Sequence, residues 1–238
     1  MASITDTARE RSLELAGLQL RIFEGGQGSP LVVIHHDIGS PGWTDFHREL
    51  AADFLVVAPD LPGYGASERP SWARSVRDEA VLMNLLLDDL GLGSPGTMSL
   101  VGLGFGGWVA AEMATMNQVR LDHLVLVAPM GILPDEGEVL DQFLVSHEDY
   151  VRAGFASQDA FARVFTEAPG AEQLVAWDIC REMTTRIGWK PYMYSRQLPH
   201  LLAGVRVPTL VVQPEDDRIV PGRCAALFAD ALPNSQLK

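Results

Sequence analysis

The sequence predicts an α/β fold in which a mainly parallel sheet carries helices on both faces. Short apolar runs rich in Val and Leu recur with little alternation, which is typical of strands buried on both sides. Helical patterns separate these runs, and this alternation favours right-handed βαβ units. The chain has 238 residues, of which 47% are hydrophobic, so it holds enough apolar material for a sizeable core.

The strands are predicted from the apolar runs, after an N-terminal hairpin. Residues 13–23 alternate apolar and polar side chains around Gly17, which is typical of a hairpin with one buried face. The later strands are predicted at Leu31–Ile34, Phe54–Ala58, Met98–Leu103, Leu124–Ala128 and Thr209–Gln213. One more strand is expected to begin at 236–238, where the sequence stops.

Helices are predicted between these strands. The clearest is Ser75–Leu90, because Ser75-x-x-Asp78 is a capping box that supplies partners for the first N–H groups of a helix. The others are predicted at Trp43–Ala52, from Gly106 to Ala114, and at Gly222–Ala231.

The alternation stops between Pro134 and about Val205, where no convincing strand is found. We interpret this stretch as a helical insertion between two strands of one sheet, with helices predicted at Val139–Val145, Ser157–Phe165 and Glu172–Arg186. The chain then divides into a first core part at 1–133, a helical cap at 134–205 and a second core part at 206–238.

Charge and cysteine content exclude several classes of protein. Asp and Glu number 31 against 18 Lys and Arg, and the net charge of −13 disfavours nucleic acid and anionic membrane partners. No run approaches the ~18 apolar residues of a membrane span, and residues 1–27 lack the apolar segment of a signal peptide. Cys180 and Cys224 lie far apart, which fits a reducing cytosol rather than a disulfide framework. We expect a cytoplasmic protein; the sequence gives no indication of oligomeric state.

The most informative segment is the glycine-rich turn at 100–108, between a predicted strand and a predicted helix. Such a turn either cradles a pyrophosphate, as in G-x-G-x-x-G, or forms the G-x-S-x-G elbow that presents a nucleophile. Gly102, Gly104 and Gly107 match the nucleotide spacing formally. A dinucleotide fingerprint, however, belongs to the first βαβ unit and needs an acidic residue about 20 residues on. Here the next strand ends in Ala128-Pro129.

Other motifs carry a specific resemblance. His35-His-Asp-Ile-Gly39 resembles the H-G-x-x-G oxyanion loop of the α/β-hydrolase superfamily, and 60–67 resembles its D-x-x-G-x-G-x-S turn. Residues 207–221 resemble the strand and turn that present the triad acid, and the insertion lies where the family has its helical cap. The resemblance covers roughly 13–238 and implies a sheet of the α/β-hydrolase type.

The resemblance implies a catalytic triad that this sequence does not complete. The nucleophile position at the centre of the elbow is Gly104, which has no side chain. The triad acid is Asp217, with Asp216 as the alternative. The base should be a later histidine, but none follows Asp217. A truncated chain would account for the missing histidine, whereas the glycine indicates a natural non-covalent subgroup or an engineered knockout.

The oxyanion loop also departs from the family pattern. The resemblance implies one oxyanion donor at the N–H of Phe105 and another near His36 or Asp37; His35 is a further candidate for this group. His36 replaces the usual glycine, and the Asp37 carboxylate opposes anion stabilisation unless it is paired or turned away. His36 beside an empty elbow is also a candidate base for activating water. In the alternative interpretation, His35 or His36 packs structurally.

Two further groups have a structural and a functional interpretation. Asp60 is interpreted mainly as an acceptor that organises its loop. Aromatic residues of the insertion either line a pocket over the elbow or pack within the cap: Phe143, Tyr150, Phe155, Phe161, Phe165, Trp177 and Trp189.

Three functions remain open from the sequence. The first is a hydrolase-like enzyme acting without a cofactor or metal on a small, partly apolar ester or carbonyl compound. The second is a non-catalytic relative that binds a small molecule. The third is a cofactor-free lyase or water-activating enzyme that uses His36. Fold alone does not decide among them.

Overall fold

The computed structural model describes residues 8–166 and 168–238, and they contain an eight-stranded sheet. The strand order is β1-β2-β4-β3-β5-β6-β7-β8. The first two pairs in this order, β1–β2 and β2–β4, are antiparallel and the other five pairs are parallel, which confirms the predicted α/β class. The strands are β1 Arg9–Leu15, β2 Leu18–Gly25, β3 Ser29–Ile34, β4 Phe54–Pro59, β5 Met98–Leu103, β6 Leu121–Val127, β7 Thr209–Val212 and β8 Ser235–Leu237.

Helices cover the sheet and fill the insertion. Within the described residues, none of them is both long and apolar enough to cross a membrane. They are α1 Asp45–Leu50, α2 Val76–Asp89, α3 Phe105–Met116, α4 His147–Ala153, α5 Gln158–Phe165, α6 Ala171–Gly188, α7 Leu198–Leu202 and α8 Gly222–Ala231.

The centre of the sheet is formed by β3, whose neighbours are β4 and β5. Val32 pairs with Val57 on one side and with Leu100 on the other, and all three are almost fully buried. Since β3 to β7 run parallel, the loops that follow them meet at one edge of the sheet. At the far end, the short β8 pairs with β7, where the sequence analysis expects a further strand to begin.

The capping box predicted for the second helix is present. The Ser75 hydroxyl accepts the Asp78 N–H, and the Asp78 carboxylate accepts the Ser75 N–H. This reciprocal pair satisfies N–H groups that a helix start would leave without partners.

The helix predicted at Val139–Val145 is wrong, because the backbone there bonds elsewhere. The Leu140 N–H bonds the Ile219 carbonyl, and the Leu140 carbonyl accepts the Tyr192 hydroxyl. The Asp141 carboxylate accepts the Phe143 N–H, which is the local competition by which Asp favours a turn over a helix. Tertiary contacts thus replace the helical hydrogen bonds that the apolar pattern suggested.

Aromatic packing holds the insertion together. Phe155, Phe161, Phe165 and Trp177 contact one another edge-on or tilted, with ring centroids 5.2–6.5 Å apart. These side chains join α5 to α6 and pack within the cap. Phe155 and Phe165 also line a small pocket with His36 and Leu103, so both roles proposed for the aromatic residues occur here.

The close approach of α3 to the sheet depends on glycine. A Cβ at Gly106 would collide with the backbone carbonyls of Ile34 and His35, at the end of β3. A Cβ at Gly102 would lie 2.6 Å from Gly107 Cα. Of the three glycines that match a nucleotide fingerprint, Gly102 is therefore explained by contact with the helix.

We predict that Gly106→Ala lowers the free energy of unfolding by about 3 kcal/mol, because backbone must move to admit the methyl group. Gly170→Ala is the matched control, since Gly170 has φ −72° and no atom within 4 Å of the added Cβ. The control should change stability by less than about 1 kcal/mol. Urea denaturation of the three proteins measures both values, and equal stability of the two variants would contradict the packing argument.

Candidate active site

A cavity of about 570 Å³ opens at the carboxyl edge of the parallel strands, beneath the cap. The loops after β3, β5, β6 and β7 supply its floor and sides, and residues at the end of α4 cover it. Its lining is largely apolar with a few polar groups, as expected of a small-molecule site. The lining residues are His36, Asp37, Leu103, Gly104, Val127, Ala128, Met130, Ala153, Gly154, Ala156, Pro214, Glu215, Asp216, Asp217, Ile219 and Val220.

Gly104 stands at the turn between β5 and α3, with φ +53° and ψ −112°. Its N–H bonds the Val127 carbonyl, and its own carbonyl accepts the N–H groups of Gly107 and Met130. The turn is thus an elbow held from both sides, and its centre faces the cavity. At this position a side chain would be strained, whereas glycine is not.

His36 lies directly beside the elbow. A Cβ added to Gly104 would be 3.1 Å from the His36 Cβ, closer than ordinary van der Waals contact. The His36 imidazole is one-third exposed and lines the cavity. His36, at the position where the family has glycine, therefore occupies space beside Gly104, where the family has the nucleophile.

The Asp37 carboxylate is buried and held by the cap. It accepts a 2.7 Å hydrogen bond from the hydroxyl of Tyr150 on α4, and its other oxygen lies 3.8 Å from Nδ1 of His36. Burial raises the pKa of Tyr150 well above its usual value, so the phenol remains a donor. The carboxylate is paired by a neutral donor, and its charge is not cancelled.

Asp217 reaches the same cavity from the loop after β7. One of its oxygens accepts the N–H groups of Ile219 and Val220, each at 2.8 Å, which fixes the carboxyl on its own turn. Asp216, the alternative acid, is exposed and bonds Arg218. The structure thus brings Gly104, His36, Asp37 and Asp217 together around one cavity.

His35 lies outside this cavity, although the sequence analysis grouped it with the oxyanion residues. Its Nδ1–H donates to the His36 carbonyl at 2.7 Å, and its Nε2 accepts the Leu61 N–H at 2.9 Å. Burial lowers the pKa of His35, so the ring is neutral. Both nitrogens are used to hold two loops together, which is the structural alternative stated for this residue.

Phe105 contributes its backbone N–H, and not its side chain, to the carboxyl edge of the sheet. Its ring is fully buried against Tyr64 and Trp108. As the first residue of α3, it has an N–H without a partner inside the helix. The N–H follows Gly104 directly, the position proposed for an oxyanion donor.

Asp60 organises its own loop, away from the cavity. The fully buried carboxylate bonds Arg21 at 2.7 Å and the Ala66 N–H at 2.9 Å. This is the loop-structuring role proposed from the sequence.

The contribution of α4 was missed by the sequence analysis. The sequence pattern predicts no helix at these residues, and Tyr150 is one of several aromatic residues for which it predicts either a pocket lining or packing within the cap. Ser146 caps this helix by accepting the Asp149 N–H, and that serine was the available signal. No local sequence pattern predicts the hydrogen bond between Tyr150 and Asp37, because 113 residues separate the two.

The sequence matches the family described as "Alpha/beta hydrolase family" over residues 31–235. The chain belongs to the α/β-hydrolase family. This agrees with the strand order, the elbow and the loops around the cavity.

Curated relatives of this α/β-hydrolase chain include two hydrolases from Pseudomonas. It is 30% identical to the 2-hydroxy-6-oxononadienedioate/2-hydroxy-6-oxononatrienedioate hydrolase 2 of Pseudomonas putida, over 99% of this chain and 88% of the relative. It is 29% identical to the 2-hydroxymuconate semialdehyde hydrolase of Pseudomonas sp. strain CF600, over 95% of this chain and 84% of the relative.

Solved structures share the fold. A serine hydrolase involved in carbazole degradation superposes with a TM-score of 0.75 at 21% identity, covering 97% of this chain and 89% of that one. A meta-cleavage product hydrolase from Pseudomonas fluorescens IP01 gives a TM-score of 0.74 at 20% identity, covering 95% and 87%.

We predict that Tyr150→Phe lowers the free energy of unfolding by about 1–3 kcal/mol, because it leaves the buried Asp37 carboxylate without its donor. Tyr194→Phe is the control, since no hydrogen bond of the Tyr194 hydroxyl is found in the described part of the chain. It should change stability by about 0.5 kcal/mol or less. Thermal or urea denaturation measures both, and a Tyr150→Phe variant as stable as its control would disprove the pairing.

We also predict energetic coupling between the elbow and His36. Gly104→Ala should cost about 1–3 kcal/mol because φ is positive and the new Cβ meets His36. In a His36→Gly background the contact is gone, so the two changes should couple by about 0.5 kcal/mol or more. Gly96 has φ +59° and open space around an added Cβ, so Gly96→Ala should be additive with His36→Gly. Additivity at Gly104 as well would contradict the contact.

Proposed function

We propose that this chain is a hydrolase-like enzyme that acts on a small, partly apolar carbonyl compound without a covalent serine intermediate. The observation that carries the proposal is Gly104 at the elbow, with the His36 side chain beside it. Covalent catalysis needs an oxygen or sulfur nucleophile at that position, and glycine has neither.

The size and lining of the cavity support a small substrate. Its volume of about 570 Å³ lies within the range of ordinary ligand pockets. Leu103, Val127 and Ile219 supply apolar walls. The relatives named above are hydrolases of oxo and semialdehyde compounds. From these names we infer only that the substrate of this chain contains a carbonyl group.

In the proposed reaction, His36 takes a proton from a water molecule, and the resulting hydroxide adds to the substrate carbonyl. The tetrahedral intermediate then breaks the bond between the carbonyl carbon and its leaving group, the alcohol of an ester or the carbon fragment of a ketone, and that group takes up the proton held by His36. The position of His36 in the cavity wall supports this role, because a general base must reach the proton it removes. The nearby Asp37 carboxylate attracts the positive charge formed on the ring. The Phe105 N–H is the proposed donor to the oxyanion of the tetrahedral intermediate.

A non-catalytic small-molecule binder is the second candidate function. The same empty elbow favours it, since a binding protein has no need of a nucleophile. A cofactor-free lyase that uses His36 shares the base with the main proposal but consumes no water. Product analysis in ¹⁸O-labelled water separates hydrolysis from the lyase reaction, because hydrolysis alone incorporates the label into the product acid.

We predict that His36→Ala lowers turnover of activated aryl esters by about 100-fold, in the range of general acid–base contributions. His123, exposed and remote from the cavity, provides the control variant His123→Ala, which should keep full activity. Asp217→Asn should reduce the rate less than His36→Ala does. Phosphonate probes directed at serine should leave the protein unlabelled.

Three outcomes contradict the proposal in different ways. Stoichiometric phosphonate labelling of a serine would reveal an unrecognised nucleophile. Equal rates for the His36→Ala and His123→Ala variants would remove His36 from the mechanism. Saturable ligand binding without any turnover by the unaltered chain would favour the binding protein instead.

A further inference from the structure

The wall of the cavity is strongly acidic. Four carboxylates contribute to the lining: Asp37, Glu215, Asp216 and Asp217. None of the lining residues found in the described part of the chain is Lys or Arg, and His36 is the one basic side chain among them. The rest of the lining is mainly aliphatic, so a bound ligand exchanges water for apolar surface close to these charges.

Little positive charge offsets these carboxylates. Arg218 bonds Asp216 at 2.6 Å, and both side chains are exposed at the rim. Asp37 and Asp217 bond a phenol and two backbone N–H groups, which are neutral donors. Glu215 forms no ion pair within the described residues; it lines the cavity and is exposed to solvent.

Two arginines of the cap lie outside the acidic cavity, because Arg181 and Arg186 line a separate surface groove. Arg181 also lines a small pocket that includes Asp37, so it lies near that carboxylate but does not enter the cavity. Arg181 also stacks over the Phe143 ring and donates to the Val145 carbonyl. A carboxylate bound at the elbow would therefore have no arginine or lysine partner in the wall.

We infer that this cavity selects carbonyl compounds that carry no negative charge, and that Glu215 is a specificity-determining residue at its entrance. The inference deepens the proposed function and rests on it. A carboxylate ligand in this cavity lies close to four like charges, and their repulsion opposes its binding. Selectivity here comes from repulsion of the wrong ligand, in addition to apolar contact with the right one.

Three aryl ketones of nearly identical shape test the inference: 4-acetylbenzamide, 4-acetylbenzoate and 4-acetylbenzamidine. They are neutral, anionic and cationic, so differences in affinity report charge. We expect the dissociation constant of the benzoate, measured by calorimetry, to be at least about tenfold above that of the benzamide. The amidine should bind at least as tightly as the benzamide. Salt at about 1 M shortens the screening length to about 3 Å, so it should narrow the differences among the three dissociation constants.

Charge-changing variants test whether the discrimination between ligands arises from the cavity wall. Glu215→Lys should lower the dissociation constant of the benzoate by about threefold or more and leave that of the benzamide little changed. Glu14→Lys is the control, because Glu14 is exposed on β1, in the hairpin at the other end of the sheet. The control adds the same charge to the whole protein without placing it at the cavity.

A variant with a blocked cavity distinguishes failure of the proposed function from failure of the charge inference. Ala156 is exposed and lines the cavity, so Ala156→Trp should fill its mouth and weaken binding of all three ketones. Binding that Ala156→Trp leaves unchanged, or no binding at all, overturns the carbonyl-binding function. Binding that the block removes, with the benzoate as tight as the benzamide, overturns the charge inference alone. Equal responses to Glu215→Lys and Glu14→Lys overturn the role of Glu215.

Discussion

The contact of α3 with the end of β3 is the constraint on which the site depends. Gly106 has no room for a Cβ against two carbonyls of the neighbouring strand, and Gly102 has none against the first turn of the helix. This contact sets the start of α3 immediately after β5, so that Gly104 turns outward at the sheet edge. The glycines thus shape the elbow, and the loops after the other strands close around it.

Gly104 and His36 form one structural feature. The loop position that is glycine in the family pattern carries the imidazole, while the elbow position that carries the nucleophile is glycine. Each replacement makes room for the other, since a side chain at both positions would bring two Cβ atoms within 3.1 Å. A polar side chain therefore lies beside the elbow, although on a neighbouring loop.

Local patterns were sufficient to predict most of the fold. The parallel strands follow from runs of buried aliphatic residues, and α2 follows from its capping box. The pattern failed at 139–145, where Asp141 and a distant tyrosine take the backbone hydrogen bonds. The candidate site was only partly predictable. Ordered motifs indicated Gly104 and Asp217, but the bond between Tyr150 and Asp37 joins residues 113 apart, and no local pattern encodes it.

The charge of the cavity and the chemistry proposed for it are linked through Asp37. The carboxylate lies beside the cavity and accepts the hydroxyl of Tyr150 from the cap, so docking of the cap fixes the position of this charge. Negative charge near His36 attracts the proton that a base must take up, but it opposes the oxyanion that forms in the same step. In the proposed reaction, the N–H of Phe105 offsets only the second of these effects, the cost of the oxyanion. A substrate that brings its own negative charge would add to the cost at every stage, and a neutral carbonyl compound adds none until its oxygen becomes an anion beside that N–H.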